Sequence, residues 1–317
     1  MERTLDAHPG QWRIVVAYDR DGHARAFLPL RHRTRWSGKS GQFRTDIEPA
    51  GKLSWAQYVG VLCAPDQEER AFPALATAVQ ALPWAKWHHR YDPSPERWDR
   101  FLAHFPADRF RVRREPYRIN DNTVDALTCP YLELPDSYDG WLAERLSRNT
   151  RQRVRRFIRR FEEDDAFRIV RGDAADFAWR LDALLSLWHA TWGPTRRPGR
   201  AREAVRRFRR VFEQSHAIGA VEIPVMLRDG RPVAALGCLV DRAGKRLFFI
   251  AAGRDPDEEG NAGLVLHAHN IAWAIEHGIR AYDLCHGNEY YKYSLGATDR
   301  VTTNVTVERR SADRSPR

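Results

Sequence analysis

The residues best suited to chemistry are concentrated in one short segment near the C-terminus, DLCHGNEYYK. It contains the carboxylates of Asp283 and Glu289, the imidazole of His286 and the phenol of Tyr291. It ends with Lys292, one of only five lysines in a chain that is otherwise rich in arginine. Groups of this kind are used for proton transfer and for stabilising developing charge. The segment is therefore the best candidate for a reactive site.

The elements before this segment would place it at the end of a parallel strand. The apolar run Leu247–Ala252 reads as a buried strand, and Gly253–Ala262 as a loop. Gly263–His277 has the apolar spacing of a helix, and Arg280–Leu284 reads as a second strand. Because strand, helix and strand in succession form a crossover unit, the two strands should be parallel.

An antiparallel meander precedes this unit. Two strands, Ala220–Leu227 and Val233–Val240, are separated by the turn pair Asp229-Gly230, which is a hairpin signal. A meander that leads into strand, loop, helix and strand is the core order of the GNAT acyltransferases. The run YDLCHGNEYYKYSLGA resembles the closing motif of the GNAT subfamily typified by bacterial cellulose-biosynthesis acetyltransferases. The matching positions are Asp283, Gly287, Glu289, Tyr291, Lys292, Gly296 and Ala297. The run is also similar to that of the related Fem peptidyltransferases, in which an aromatic–Lys pair precedes a Gly.

The resemblance implies that the acyl donor is acetyl-CoA or a longer acyl-CoA. The backbone of Phe249, Ile250 and Ala251 would then hold the pantetheine arm. The pyrophosphate would lie at the helix N-terminus, where backbone N–H groups carry partial positive charge. The residues there are Gly260, Asn261, Ala262, Gly263 and Leu264. The run EGNAG is a degenerate version of the usual GNAT phosphate loop, so an aminoacyl-tRNA donor of the Fem kind is the alternative.

The same resemblance implies roles for the reactive segment. An amine with a pKa near ~10 is mostly protonated at neutral pH, so a base is useful. Glu289 and Asp283 are the carboxylate candidates, and His286 has the best-matched intrinsic pKa. Tyr291, or its neighbour Tyr290, could protonate the leaving thiolate. Lys292 could donate to the oxyanion or bind an acidic acceptor, and it is expected to face the donor.

Some of these residues also have structural interpretations. Asp283 is expected to anchor the turn, so Asp283→Asn should lower stability. Lys292→Met is expected to leave folding nearly intact and to lower turnover. His267 and His269, in the helix after the loop, are interpreted as structural. An aromatic pair at helical spacing, Trp188 and Trp192, belongs either to the core or to an acceptor pocket.

A partial internal repeat predicts two halves. RIVVAYDRDGHARAFLPL and EIPVMLRDGRPVAALGCL both read as strand, Asp-Gly turn and strand. We expect an α/β protein with two GNAT-like halves. Each is a mixed sheet with an antiparallel meander and a parallel strand splay, flanked by helices. Residues 1–135 form a degenerate half that shapes a substrate cleft, and residues 136–317 form the acyltransferase half. In the first half, Trp36–Gly51 reads as a polar loop and Gln57–Cys63 as a strand.

Two arginine clusters account for much of the net charge of +10. Eight arginines lie between residues 145 and 160, and eight more between 196 and 210. They could be solvated helix faces, an attractor for phosphate-bearing ligands, or a site for RNA or an anionic membrane surface. Phe157 and Phe161 follow the buried stripe of their helix, so the aromatic stacking typical of RNA binding is not predicted. We therefore expect weak, non-selective tRNA binding.

Several classes are disfavoured by simple patterns. The sequence contains no run of 18 apolar residues, so no transmembrane helix is predicted. The N-terminus has no signal-peptide pattern. The four cysteines are scattered, which fits a reducing, cytoplasmic location and predicts no metal site.

Together these observations predict an acyl-CoA-dependent N-acyltransferase of the EC 2.3.1 class. The resemblance implies an amine acceptor on an envelope, polysaccharide or lipid-like precursor, and peripheral membrane contact is compatible with the charge. The alternatives are a Fem-like enzyme that uses aminoacyl-tRNA and a non-catalytic binding protein with the same fold.

Overall fold

A computed structural model describes residues 9–38, 41–54, 56–172, 175–258 and 261–310. The chain divides into two compact units. The first runs to Leu127 and resumes at Val301, and the second spans Thr128–Arg300. The division thus lies several residues before the expected boundary at 135–136, because the strand that begins at Thr128 pairs within the second sheet. No helix in the described part of the chain is both long and apolar enough to cross a lipid bilayer.

The described residues form runs of consecutive strands that are separated by helices. The strands are β1 Trp12–Tyr18, β2 Ala24–Ser37, β3 Gln42–Pro49, β4 Leu62–Cys63, β5 Lys86–Asp92, β6 Phe110–Arg114, β7 Arg118–Ile119, β8 Val124–Asp125, β9 Thr128–Glu133, β10 Phe167–Val170, β11 Val221–Glu222, β12 Val225–Arg228, β13 Arg231–Asp241, β14 Arg246–Arg254, β15 Ala281–Asp283, β16 Thr298–Val301 and β17 Thr303–Arg309. The helices are α1 Glu68–Ala81, α2 Pro95–Leu102, α3 Tyr138–Gly140, α4 Arg148–Glu162, α5 Phe177–Trp192, α6 Pro198–His216, α7 Ala262–Glu276 and α8 Tyr290–Tyr293. Short 3₁₀ turns lie at Ala50–Ser54 and Pro65–Gln67, and a π-helical turn at Trp141–Arg145.

The first unit is built on a sheet in the order β1-β2-β3-β5-β17-β6, with β4 beside β2. β3 and β5 are parallel and are connected through α1, whereas β1, β2 and β3 form an antiparallel meander. The core between this sheet and its helices includes Leu30, Leu75, Trp87 and Phe101, all fully buried. This unit therefore has the order predicted for a GNAT-like half, in which a meander is followed by a helix and a parallel strand.

Two local predictions in this unit are wrong. The expected polar loop at 36–51 is mostly β-structure, because β2 and β3 pair through Trp36↔Phe43 and Arg35↔Arg44. An ion pair between Arg35 and Asp46 supports the hairpin. The expected strand at 57–63 shrinks to Leu62–Cys63, since Tyr58 has a φ of 57°, which is incompatible with an extended strand.

The second unit has the sheet order β10-β12-β13-β14-β15-β9-β16, with β11 beside β13. β12, β13 and β14 form the predicted antiparallel meander, and β14 and β15 are parallel across the α7 crossover. The hairpin turn Asp229-Gly230 has positive φ at both residues, 49° and 76°, as a type I′ turn requires. The predicted strand at 220–227 is interrupted at Pro224, which has no backbone N–H to donate.

Helices cover both faces of this second sheet. Leu236, Leu247 and Tyr282 pack into the core shared with α7. On the opposite face, Gly253 allows a very close approach of α5, because a Cβ there would lie 2.1 Å from the backbone nitrogen of Trp188. The fold class predicted from the sequence, an α/β protein with two mixed sheets and flanking helices, is confirmed.

Candidate functional site

The parallel strands β14 and β15 separate at one end of the second sheet. They pair only from Arg246↔Ala281 to Phe248↔Asp283, after which β15 ends and β14 continues to Arg254. Within this extension the register with β13 shifts, because Gly237 faces Ala251 while Cys238 faces Phe249. Ile250 is therefore the extra residue of a β-bulge. The predicted donor-strand residues Phe249, Ile250 and Ala251 lie where the two strands part.

The start of helix α7 follows this strand. The first intrahelical hydrogen bond is from Val265 N–H to the Asn261 carbonyl, at 3.0 Å. The amides of Ala262, Gly263 and Leu264 precede that bond, and the Asn261 side chain caps none of them. A Cβ built on Gly263 would meet no heavy atom within 4 Å, so the helix start is open. Gly260, also predicted for this site, lies outside the described residues.

Asp283 fixes the beginning of the reactive turn. Its buried carboxylate accepts a hydrogen bond from the backbone N–H of Cys285, at 2.9 Å, and another from Arg300, at 2.6 Å. The Arg300 guanidinium in turn lies 4.4 Å from the centre of the Tyr131 ring. Cys285 has a φ of 57°, a left-handed conformation that this hydrogen bond helps to hold. Asp283 is thus in the position of a turn anchor.

Lys292 is directed into the turn. Its side chain is only 3% exposed, and its ammonium lies 3.0 Å from the Glu289 carboxylate. The ammonium donates hydrogen bonds of 2.8 Å to the carbonyls of His286 and Gly287, and a longer one of 3.4 Å to that of Cys285. Three backbone acceptors therefore match its three hydrogens. This geometry favours a role in holding the turn over direct donation to a substrate.

The remaining predicted residues of the turn differ in exposure. The Glu289 carboxylate is about one-third exposed and lies over Gly287, where a Cβ would approach Oε2 to 2.6 Å. Its contact with Lys292 is an ion pair without hydrogen-bond geometry at Oε2. Tyr291 as a whole is 40% exposed. Desolvation of its phenol, and then the charges of Glu289 and Cys285, nevertheless raise its pKa, so the phenol stays protonated at neutral pH. His286 is exposed.

His267 lies beside this turn, although its sequence suggested only a structural role. The side chain is buried, and its Nδ1 lies 2.9 Å from the Tyr282 hydroxyl. Its ring centre is 4.9 Å from that of Phe249 and 5.8 Å from that of Tyr291. Burial, and secondly the Lys292 ammonium, lower its pKa to about 3. His267 follows Gly263 by four residues, so the two residues lie on the same face of α7. This spacing is the sequence signal that could have placed His267 near the open helix N-terminus.

The aromatic pair on α5 has two different environments. Trp188 is buried in the core, as one of its two interpretations required. Trp192 is partly exposed, and its indole N–H donates to the Ala252 carbonyl on β14, at 3.2 Å. It therefore supports the strand that precedes the helix start.

Comparison with known proteins agrees with this arrangement. Residues 148–293 match a family described as an acetyltransferase (GNAT) domain. The fold is similar to that of FemX, with a TM-score of 0.62, 12% identity, and coverage of 92% of this chain and 87% of that one. It is also similar to L-PGS from Bacillus licheniformis, with a TM-score of 0.56, 11% identity, and coverage of 96% and 86%.

A third solved structure bears on the two halves. A tandem GNAT protein from the clavulanic acid biosynthesis pathway has a TM-score of 0.51, 11% identity, and coverage of 96% of this chain and 86% of that one. No curated protein matches the sequence significantly. The domain match at residues 148–293 confirms the predicted superfamily, and the similar solved structures confirm the fold.

Proposed function

We propose that this chain, whose residues 148–293 match a GNAT acetyltransferase domain, transfers an acyl group from acyl-CoA to an amine. The observation that carries the proposal is the parting of β14 and β15 next to the open N-terminus of α7. The gap offers backbone groups to an extended pantetheine arm. The helix start offers amides and partial positive charge to a pyrophosphate.

In this proposal, the bulge at Ile250 brings the backbone of β14 to the thioester. The acceptor amine forms a bond to the thioester carbonyl carbon and gives up a proton, and the C–S bond breaks to release the CoA thiolate. We assign the role of base to the partly exposed Glu289 carboxylate and that of acid to the protonated Tyr291 phenol. Asp283 and Lys292 hold the turn that carries both groups.

The proposed acceptor is an amine on an envelope, polysaccharide or lipid-like precursor. Its basis is the resemblance of residues 282–297 to the closing motif of the cellulose-biosynthesis-type acetyltransferases. The proposed location is cytoplasmic, because the scattered cysteines fit a reducing compartment.

A second donor, aminoacyl-tRNA, is favoured by one observation on α4. No described residue forms a salt bridge with the arginines of this helix, whereas Arg207 and Arg209 on α6 pair with Glu203 and Asp182. The arginines of α4, called here its arginine face, therefore keep their positive charge unpaired within the described part of the chain, and such a surface attracts polyanions. The Fem resemblance of the Tyr291-Lys292 pair points to the same donor.

Calorimetry with acetyl-CoA tests the proposal. Wild-type protein should bind acetyl-CoA or a longer acyl-CoA, and Gly263→Asp should weaken binding about tenfold or more by placing a negative charge beside the pyrophosphate. Gly263→Asn, which adds a neutral side chain of the same size, is the matched control and should bind more tightly than the Asp variant. An acid in the first helical turn does not harm the helix. A folded wild type without affinity for any acyl-CoA would remove this donor and favour tRNA.

A further inference from the structure

A chain of polar side chains crosses the second unit and ends at His267. Arg171 forms an ion pair with Glu222, at 2.9 Å, and donates to the side-chain oxygen of Asn270, at 3.3 Å. The Asn270 side-chain nitrogen donates to the Tyr282 hydroxyl, at 3.3 Å. That hydroxyl lies 2.9 Å from Nδ1 of His267. Asn270 and Tyr282 are fully buried, so these contacts are shielded from water.

The donors and acceptors of this chain follow one direction. A guanidinium can only donate, so the Asn270 oxygen must face Arg171 and the Asn270 N–H groups must face away from it. One of these N–H groups donates a hydrogen bond to the Tyr282 hydroxyl oxygen, which accepts it through one of its lone pairs. The single hydroxyl hydrogen of Tyr282 has two other neighbours, Nδ1 of His267 at 2.9 Å and the sulfur of Cys238 at 4.0 Å. The shorter contact makes His267 Nδ1 the acceptor.

This direction determines the tautomer of His267. A neutral imidazole that accepts at Nδ1 carries its hydrogen at Nε2. The lowered pKa keeps the ring neutral at physiological pH. The hydrogen bond of the His267 ring to the described residues is the one at Nδ1, and none of those residues accepts from Nε2. The ring thus presents an uncommitted N–H donor between Phe249, where the strands part, and Tyr291 of the reactive turn.

We propose that the Nε2–H of His267 is the hydrogen-bond donor to the thioester carbonyl oxygen, held in this tautomer by Tyr282, Asn270 and Arg171. The inference rests on the proposed acyl-CoA donor and adds a catalytic residue to it. The ammonium of Lys292 already has three backbone acceptors, so the oxyanion needs another donor. The hydrogen bond strengthens as the carbonyl oxygen gains negative charge, and no proton leaves the imidazole. Tyr282, Asn270 and Arg171 are positioning residues.

Long-range proton–nitrogen NMR of protein with ¹⁵N-labelled histidine tests the tautomer without any turnover. The His267 signal is identified by its loss in His267→Gln. We expect the Nε2–H tautomer with no change between about pH 7.5 and pH 5. Tyr282→Phe removes the hydroxyl donor and should shift the ring towards the other tautomer. A wild-type ring with its hydrogen at Nδ1, or a charged ring at neutral pH, would overturn the inference.

Kinetics test the contact with the thioester. His267→Ala should lower kcat about 10²-fold, while the Kd for acetyl-CoA from calorimetry should stay within about threefold of the wild type. His267→Gln, which keeps an N–H donor near the Nε2 position, should retain more activity than the Ala variant. His104 is exposed, so His104→Gln is the control, and its kcat and Kd should match those of the wild type. Unchanged kcat in His267→Ala with normal binding would refute the role of His267 and leave the acyl-CoA proposal standing. Loss of acyl-CoA binding by the wild type would instead refute the donor.

Discussion

The Lys292 ammonium lies 3.0 Å from the carboxylate of Glu289, three residues earlier in the same turn. The sequence predicts Glu289 as a candidate base and Lys292 as a candidate oxyanion donor, and in the structure the two side chains form an ion pair. The carbonyls of His286 and Gly287 complete the surroundings of the ammonium. The turn is thus closed around an internal cation, and its exposed edge carries the Glu289 carboxylate and the Tyr291 phenol.

Lys292→Met should lower stability as well as activity. The substitution leaves two or more buried carbonyls without a donor and a carboxylate without its cation, which costs about 2–4 kcal/mol. This differs from the sequence expectation of nearly intact folding, because that expectation assumed a lysine directed at the donor. Urea denaturation measures the change, with the exposed Lys245→Met as a control of the same chemistry. A variant as stable as the wild type would contradict this account of Lys292.

Gly287→Ala should disturb the same turn from the backbone side. Gly287 has a φ of 99°, and a Cβ would lie 2.6 Å from Glu289 Oε2, so the carboxylate must move. We expect a loss of about 1–3 kcal/mol and reduced turnover. The control is Gly199→Ala in α6, where a Cβ meets no heavy atom within 4 Å and φ is not positive. That variant should be neutral or slightly stabilised. Equal thermal midpoints for the two variants would refute the steric account of Gly287.

The buried pair of Asp283 and Arg300 should contribute more than an exposed pair. Asp283→Asn places an amide against Arg300 and removes a buried charge, with an expected loss of about 3 kcal/mol. Asp182→Asn removes the exposed partner of Arg209 and should cost at most about 1 kcal/mol. Denaturant midpoints of both variants make the comparison. If the two losses are equal, Asp283 is not the anchor of the turn.

The crossover unit could be predicted from the sequence because its signals are local. Apolar runs define β14 and β15, and Gly278 follows the periodic residues of α7. The β2–β3 hairpin could not be predicted from the sequence, because it is stabilised by pairs such as Arg35 with Asp46, which only the folded sheet brings together. The path of the turn that surrounds the Lys292 ammonium includes Cys285, whose φ is positive. A positive φ at a non-glycine residue is uncommon and could not be predicted from the residue type. The role of His267 depends on Asn270 and Arg171, and residue types alone do not reveal that chain of hydrogen bonds.

His267 should make the protein less stable in acid. The unfolded chain binds a proton at the ordinary histidine pKa of 6.5, whereas the folded ring stays neutral down to about 3. The unfolded state therefore binds more protons below pH 6.5, and the free energy of unfolding falls as the pH drops through that value. From about pH 7.5 to pH 5 the loss attributable to this ring is about 2 kcal/mol.

Urea titrations at both pH values measure this dependence. His267→Gln should flatten it, whereas His104→Gln should not. Lys292, Tyr282, Tyr291 and Phe249 lie around the ring in all of these proteins. Other histidines with lowered pKa values, such as His88, contribute equally to each. An unchanged pH dependence in His267→Gln would show that the ring is already charged, or solvated, in the folded state.

The arginine face of α4 is not expected to be a selective tRNA site. Phe157 and Phe161 pack against the core, so this face offers charge without aromatic stacking. We therefore expect weak, non-selective tRNA binding at about 150 mM salt. Replacing Arg148, Arg155 and Arg159 with Gln should change the affinity no more than replacing Arg200, Arg202 and Arg206 on α6. Filter binding over a range of salt concentrations makes the comparison, because each phosphate contact contributes about one unit to the slope of log K against log salt. Micromolar binding whose slope falls by about 2–3 units only in the α4 variant would identify this face as a tRNA site. It would also make aminoacyl-tRNA the preferred donor.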